Sequence, residues 1–552
     1  MGIPSYFSHI IKQHRKIIKK HTSESIDNLY LDSNSIIYDA VHAISYSGNI
    51  DEYESDVLNT VCSTITSYVK HLSPRRIIIA FDGVAPVAKL KQQRERRYKT
   101  SLMKNIPTNN NDTPGNTSWD TTAITPGTPF MNKLNIRMKV FCDTLPKLLK
   151  NVDEVIYSSW SEPGEGEHKI FDYIRNNDHM HEITYIYGLD ADLIMLCLCH
   201  LHQCPNIFLY RETPEFIKSI DQTLEPNETY VLDINGLSHQ IVDMLCTGVV
   251  VDKGVISDNN DNNDNNDNND NNDNDMVRNK MIDYIFLCFF LGNDFLPHFP
   301  ALNIRDDGIY ILLDTYKAVL PNNETIVNSG KINWKSVKKI LTIIAAREEE
   351  LFIKDYKTRN KLEKIMKYRQ AGCDSSIDEQ LLHTPVIHRN VEHYINPECE
   401  GWESRYYDKC LHVRKEPIRT KQICHNYLEG LEWTLAYYTD ECKSWEWKYN
   451  YCYPPLIKDL INYVPYFETE FITKTDVEPI HHQVQLAYVL PPTKYYYLSK
   501  YNQHIMNNSP SLFSNELNIQ WMYCRYFWES HIDFPEVDIN HLKKILNINM
   551  IT

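Results

Sequence analysis

Glycine is scarce in this chain, 17 of 552 residues, and neither GxxxxGK[ST] nor GxGxxG occurs, which excludes a nucleotide cofactor cradled by a glycine loop. GxSxG is missing too, so a serine nucleophile on a strand-to-helix elbow is excluded. Long apolar runs are also absent. The longest uninterrupted one, Tyr284 to Leu291, is far too short to cross a bilayer, and no charged-then-apolar signal opens the chain. Met1-Gly2 is followed at position 6 by Tyr6, where myristoylation wants Ser or Thr. An intracellular protein without membrane attachment is expected. The fourteen cysteines follow no disulfide framework, which fits a reducing compartment. Cys197-Leu-Cys199-His200-Leu-His202-Gln-Cys204 superficially resembles a zinc site, but it ends an apolar helical run in which residues two apart face different sides. Cations are in deficit as well: 57 Lys and Arg against 73 Asp and Glu give a net charge of −16. That balance argues against coating nucleic acid by bulk electrostatics, so any phosphate-binding cations must be concentrated locally.

They are concentrated in Ile77 to Tyr98, IIIAFDGVAPVAKLKQQRERRY. The apolar, β-branched run Ile77 to Phe81 reads as a strand buried on both faces, ending at Asp82-Gly83. After Pro86 the pattern is helical, with Lys89, Gln93, Arg96 and Arg97 at i, i+4, i+7 and i+8, one face of an α-helix. A carboxylate able to hold a metal and a donor face able to hold a phosphate thus share one strand-turn-helix unit.

The same grammar recurs. Met1 to Lys20 reads as an amphipathic helix with Phe7, Ile10, Ile11, Ile17 and Ile18 as core positions. Asn28 to Leu31 reads as a strand ending in Asp32, with a helix after it. Asn105 to Thr122 is a polar loop, and Thr128 caps a helix opened by Pro129 whose buried side is Phe130, Leu134, Met138, Phe141, Leu145 and Leu149. Strand Glu154 to Ser158 leads to Glu165 and Glu167. Strand Ile183 to Gly188 leads to Asp190 and Asp192, and Asp294 follows the apolar helix that resumes at Met276. Strands alternating with helices predict an α/β fold with a mostly parallel central sheet, whose ligands bind beyond the carboxyl ends of the strands. By size the chain divides into lobes. Residues 1–257 and 276–326 form the acid-bearing α/β part, 258–275 is a disordered DNN insertion, and 327–552 is a helical, aromatic-rich second region containing Trp433, Trp445, Trp447, Tyr449, Tyr451 and Tyr453.

Seven carboxylates, Asp32, Asp82, Glu165, Glu167, Asp190, Asp192 and Asp294, converge on this reading. Clustered without counter-charge they repel and raise one another's pKa values. Hard divalent cations resolve this, and two Mg²⁺ ions, with Mn²⁺ as substitute, suit phosphodiester hydrolysis.

MGIPSYF, NLYLDSNSIIYDAVH, FDGVAPVAKLKQQRERRY, ITPGTPF, EPGEGEHKIFDYIR, YGLDADLIML, FLGNDFLPHFP, YLEGLEW and SWEWKYNYCYPP, in this order from Met1 to about Pro492, resemble the Xrn-type 5′→3′ exoribonucleases. The resemblance implies a flap-nuclease/PIN-like core. It also implies a Mg²⁺ site made by the seven acids, a pocket for the terminal 5′-phosphate made by Lys89, Gln93, Arg96 and Arg97, and single-stranded RNA with a 5′-monophosphate as the partner. Where the family commonly places a base-stacking His, six residues after the first Asp, this chain has Tyr38, which still offers a π face. The other stacking ring is Trp445 or Trp447. The chain is expected to end near the catalytic core of its relatives, without their long C-terminal extensions, and to act as a monomer. Cytoplasmic residence is expected over nuclear. The Asn- and Ile-rich usage suggests an A+T-rich genome, such as that of a large virus or a protist. The alternatives are a flap-type DNA nuclease and a protein that grips 5′ ends without cutting; the donor helix and the aromatic region favour RNA, and no metal acid is lost.

Overall fold

The computed structural model describes residues 3, 5–21, 25–46, 48–104, 119–246, 267–321, 324–372, 377–509 and 518–548. The fold is α/β. Seven strands, β1 Ile18–Lys19, β2 Asn28–Asp32, β3 Arg76–Ala80, β4 Glu154–Ser158, β5 Thr184–Tyr187, β6 Ile207–Glu212 and β7 Thr229–Asp233, form one sheet in the order β1-β7-β6-β5-β2-β3-β4. The pairings from β4 to β6 are parallel, and β6–β7 and β7–β1 are antiparallel. The helices that matter here are α1 Tyr6–Gln13, α2 Asn34–Ala43, α3 Ile50–Leu72, α4 Val87–Lys104, α5 Pro129–Leu148, α6 Gly166–Asn176, α7 Asp192–Cys199, α8 Ile234–Leu245 and α9 Asp267–Cys288. Among the described residues no helix is long and apolar enough to cross a membrane.

The chain lays down β2, β3 and β4 in one direction and then returns to place β5 on the other side of β2. The switch point of the sheet therefore falls at β2, where the loops leaving adjacent strands diverge and open a crevice. Asp32 ends β2, Asp82 lies just beyond β3, and Asp190 lies just beyond β5. Strand alternation fills both faces. Tyr30, Ile78 and Ile186 pack with α1 and α6 to α9, while Leu29, Leu31, Ile77 and Ile79 pack with α2, α3 and α5.

Three expectations change in detail. The N-terminal helix stops at Gln13, and Arg15–Ile17 form a 3₁₀ turn before Ile18–Lys19 join β7; β-branched Ile17 and Ile18 suit that edge, and Ile18 is only half-buried. In α5, capped by Thr128 Oγ accepting from the Met131 N–H at 3.4 Å, Cys142 occupies the buried position expected for Phe141, and Leu149 is half-buried. Helix α9 begins at Asp267, inside the DNN tract expected to be disordered to Asp275. Helix propagation costs little once a packed segment such as Met281 to Cys288 anchors it. Residues 258–266 of the tract, and 105–118 of the expected polar loop, lie outside the described residues.

The second region is built on the helices Trp334–Gly372 and Pro417–Thr439. Most of its rings are core: Trp334, Trp433, Tyr406 and Tyr407 are fully buried. The core cluster crosses the expected boundary at 326/327, joining Ile285 and Phe289 of the sheet side to Tyr427, Trp433 and Tyr438. Its polar anchor is Glu392, which accepts from Arg359 at 2.6 and 2.9 Å, from Arg389 at 2.5 Å and from the Tyr523 N–H at 2.9 Å. Glu392→Ala removes the carboxylate that two buried guanidinium groups share, leaving Arg389 with Glu363 at 3.1 Å and Arg359 with the Cys524 carbonyl at 3.1 Å. It should cost about 3–5 kcal/mol, measured by urea unfolding; a loss below about 1 kcal/mol would show that these cations are solvated.

Candidate functional site

The turn after β3 sets the site. Gly83 donates its N–H to Gly164 O at 2.8 Å, and a Cβ there would lie 1.7 Å from Glu162 O, so only glycine permits this approach. Gly166, at the first turn of α6, donates its N–H to Asp82 Oδ1 at 2.7 Å; a Cβ there would stand 2.6 Å from Asp32 Oδ1. The glutamates on either side, Glu165 and Glu167, are thereby brought against Asp32 and Asp82. Asn34 holds Asp82 from the other side, donating to Oδ2 and accepting from the Asp82 N–H at 3.2 Å.

Lys89 does not stand with the other three donors of its helix face. Its ammonium lies 2.9 Å from Glu165 Oε1 and pairs also with Asp294 Oδ2, whose second oxygen accepts from Gln92. A buried ammonium beside this many carboxylates gains more from them than from an open cleft. Glu165 accepts in addition from Tyr437 Oη at 3.1 Å, and Tyr437 stacks on His168 with ring centres 3.7 Å apart. The second region thus contributes directly to the acid cluster.

The electrostatics are those of an under-neutralised cluster. Burial, then Asp82 and Asp190, push Asp32 well above the usual carboxylate range; burial and Glu165 do the same to Glu167, and burial and Asp294 push Asp192 up to about 7. Asp82 is raised by burial and Glu165. Burial would also raise Asp294, but Lys89 holds it below the ordinary range. Asp32 Oδ1, Glu167 Oε2 and Asp192 Oδ1 are buried acceptors with no hydrogen-bond partner among the described residues. Hard oxygen donors, unpaired and mutually repelling, fit divalent cations of the Mg²⁺ class. One set brings ligand atoms of Glu165, Glu167 and His168 within 4.8 Å of one another. A second such set, Glu95, Cys452 and His531, already has cations beside it, Lys91 Nζ 3.2 Å from Cys452 Sγ and Lys99 Nζ 4.0 Å from Glu95 Oε2. The Cys197 to Cys204 stretch forms no such set among the described residues.

A cleft of about 270 Å³ opens on this cluster. Asp32, Asp82, Glu165, Glu167 and Asp190 line it together with Gln93, Arg96 and Arg97 of α4 and Tyr38 of α2. Lys89, Asp192 and Asp294 lie behind this lining. Arg97 is fixed by Thr125 Oγ, 3.2 Å from Nε and 2.8 Å from one terminal nitrogen, and has no carboxylate partner within 4.0 Å among the described residues. Arg96 is exposed. Neither Trp445 nor Trp447 lines the cleft. Trp447 stacks on Trp433 at 5.2 Å and donates to Glu429 at 3.3 Å. Half-buried Trp445 gives its carbonyl to the Val87 N–H at 2.9 Å, at the start of α4. Sequence reasoning missed Asn34, Gln92, His168 and Tyr437. Only Asn34, two residues past a strand-ending Asp, carries a local signal.

Comparison with known proteins points the same way. The family model described as XRN 5'-3' exonuclease N-terminus matches residues 1–213, and that described as Xrn1 helical domain matches 275–399 and 388–548. The 5'-3' exoribonuclease 2 of Eremothecium gossypii is 32% identical over 64% of this chain and 42% of its own length. The human 5'-3' exoribonuclease 1 is 27% identical over 98% of this chain and 34% of its own length. The corresponding values for the Saccharomyces cerevisiae 5'-3' exoribonuclease 1 are 26%, 83% and 37%. The chain thus spans between 34% and 42% of the length of these three relatives. With both models matched in order over most of its length, on a sheet whose strand ends gather the motif acids, the chain belongs to the Xrn-type 5′→3′ exoribonuclease family.

Proposed function

We propose that the chain hydrolyses single-stranded RNA from a 5′-monophosphorylated end, releasing nucleoside 5′-monophosphates one at a time. The observation that supports this reading is the cleft itself, a space of about 270 Å³ lined by five acids together with Gln93, Arg96 and Arg97. Arg97 and Gln93 hold the terminal phosphate, and Arg97 is pre-oriented by Thr125. Tyr38, in the cleft lining, offers its ring to the first base. Water attacks the phosphorus between the first two nucleotides and the P–O3′ bond breaks. The first nucleotide leaves with a 3′-hydroxyl, and the shortened chain carries a new 5′-phosphate for the same pocket. The seven acids would hold two Mg²⁺ ions, which when bound would supply Lewis-acid stabilisation of the charge that develops on the phosphate and the leaving oxygen. Asn34, Gly166 and Tyr437 position Asp82 and Glu165 for that task.

The direct test is a 5′-labelled RNA incubated with Mg²⁺ or chelator beside a DNA of the same sequence. The expected result is labelled nucleoside 5′-monophosphate from RNA as the first product, only with Mg²⁺. Internal fragments, or preference for DNA, would overturn the reading.

Cation binding should also be visible in stability. A ligand at a hundred times its Kd adds about 2.7 kcal/mol, so millimolar Mg²⁺ should raise Tm; identical melting in Mg²⁺ and chelator would disperse the acids. The acid cluster's contribution to the pH dependence has a definite sign. Asp32, Asp82 and Glu167 are raised and Asp192 sits at about 7, so the folded chain binds more protons than the unfolded chain above the ordinary carboxylate pKa. In chelator this contribution to stability is present at low pH and lost as pH rises through 7. Saturating Mg²⁺ should flatten the slope.

A further inference from the structure

A second cavity, of about 280 Å³, lies on the other side of α4. Arg96 lines both spaces, and Gln92 and Asp294 stand between the acid cluster and this rear cavity. Its far end reaches the surface at exposed Ser5 and at Trp528, which is 40% exposed. The lining carries five buried polar atoms with no hydrogen-bond partner among the described residues: Gln92 Oε1, Glu95 Oε1, Asn293 Nδ2, His298 Nε2 and Ser530 Oγ. Ser530 and Glu95 are themselves more than nine-tenths buried. A void with this many unpaired donors and acceptors is built for a polar occupant rather than for packing.

Building on the exonuclease reading, we propose that the rear cavity is the exit passage for the released nucleoside 5′-monophosphate. Once the first P–O3′ bond is broken, the acid cluster stands between the product, held at Gln93 and Arg97, and the remaining RNA, which fills the front of the cleft. Leaving forward would require the chain to withdraw; leaving past Arg96 and Gln92 lets the chain advance. The rear cavity matches the cleft in size, 280 against 270 Å³. Its charged lining is balanced, with Arg96, Lys99 and Arg305 against Glu95, Asp294 and Glu529, so an anionic product passes without being trapped.

Photocrosslinking of the full chain with 8-azidoadenosine 5′-monophosphate, followed by peptide mapping, tests this without relying on turnover. Adducts within 291–298 and 523–531 are expected; adducts confined to 32–38 and 121–126 would overturn the proposal. Two variants that narrow the passage away from the acids, Ser530→Leu and His298→Trp, should lower multiple-turnover hydrolysis by about tenfold while single-turnover cleavage of the first bond stays within about twofold. Equal losses in both assays, or none in either, would also overturn it. A wild-type chain that cuts no RNA would instead refute the exonuclease reading, and the crosslink would still decide where the nucleotide sits.

Discussion

Asp32→Asn or Asp192→Asn should lower RNA hydrolysis by about a thousandfold or more while leaving the protein folded and able to bind 5′-phosphorylated RNA. Both carboxylates are buried, each has an oxygen without a hydrogen-bond partner among the described residues, and both are raised by burial and neighbouring acids. Removing one charge relieves repulsion, so Tm in chelator should hold or rise. What should disappear is the gain in Tm on adding Mg²⁺. That pair of outcomes separates loss of a cation ligand from loss of structure, because a collapsed site would lower Tm in both conditions. Gln93, Arg96 and Arg97 are untouched by either change, so RNA affinity measured without turnover should fall little. Substantial turnover in both variants would move the metal site away from the ends of β2 and β5.

Arg97→Ala should lower kcat/KM on 5′-monophosphorylated RNA by about one to two orders of magnitude, and on 5′-hydroxyl RNA far less. A charge-assisted hydrogen bond to a desolvated phosphate is worth about 1.5–3 kcal/mol. Arg97 is the guanidinium best prepared to make one, held by Thr125 and free of carboxylates within 4.0 Å among the described residues. Arg96 is more exposed and should show a smaller loss of the same kind. Arg97→Lys should recover only part of the loss, because an ammonium cannot bond Thr125 and phosphate in one planar fork. Equal losses on the two RNAs would reduce α4 to a general electrostatic surface.

Much of this site is legible in the sequence because its signals are local. Ile77 to Asp82 announces a buried strand ending in a carboxylate, and the spacing of Gln93, Arg96 and Arg97 puts three donors on one helix face. The position of Lys89 is not legible. Periodicity gives it the same face, but its final contacts are decided by Glu165 and Asp294, which are distant in sequence and reach it only through the sheet and the turn after α9. Tyr437 is hidden for the same reason: its bond to Glu165 spans 272 positions, and in sequence it is one ring among many. The antiparallel edge is faint because β6 ends in Arg211-Glu212, which interrupts the apolar run. The N-terminal helix is overextended in the sequence reading because Ile17 and Ile18 satisfy a helical and a strand pattern alike.

The central claim is that one cleft reads a 5′-phosphate and cuts the bond beyond it. Its most direct test is single-turnover hydrolysis of one RNA prepared with a 5′-monophosphate and with a 5′-hydroxyl, by the wild-type chain in saturating Mg²⁺. The expected result is cleavage of the 5′-monophosphorylated RNA at least about tenfold faster, the least that one lost charge-assisted contact implies. Equal rates on the two ends would contradict the claim.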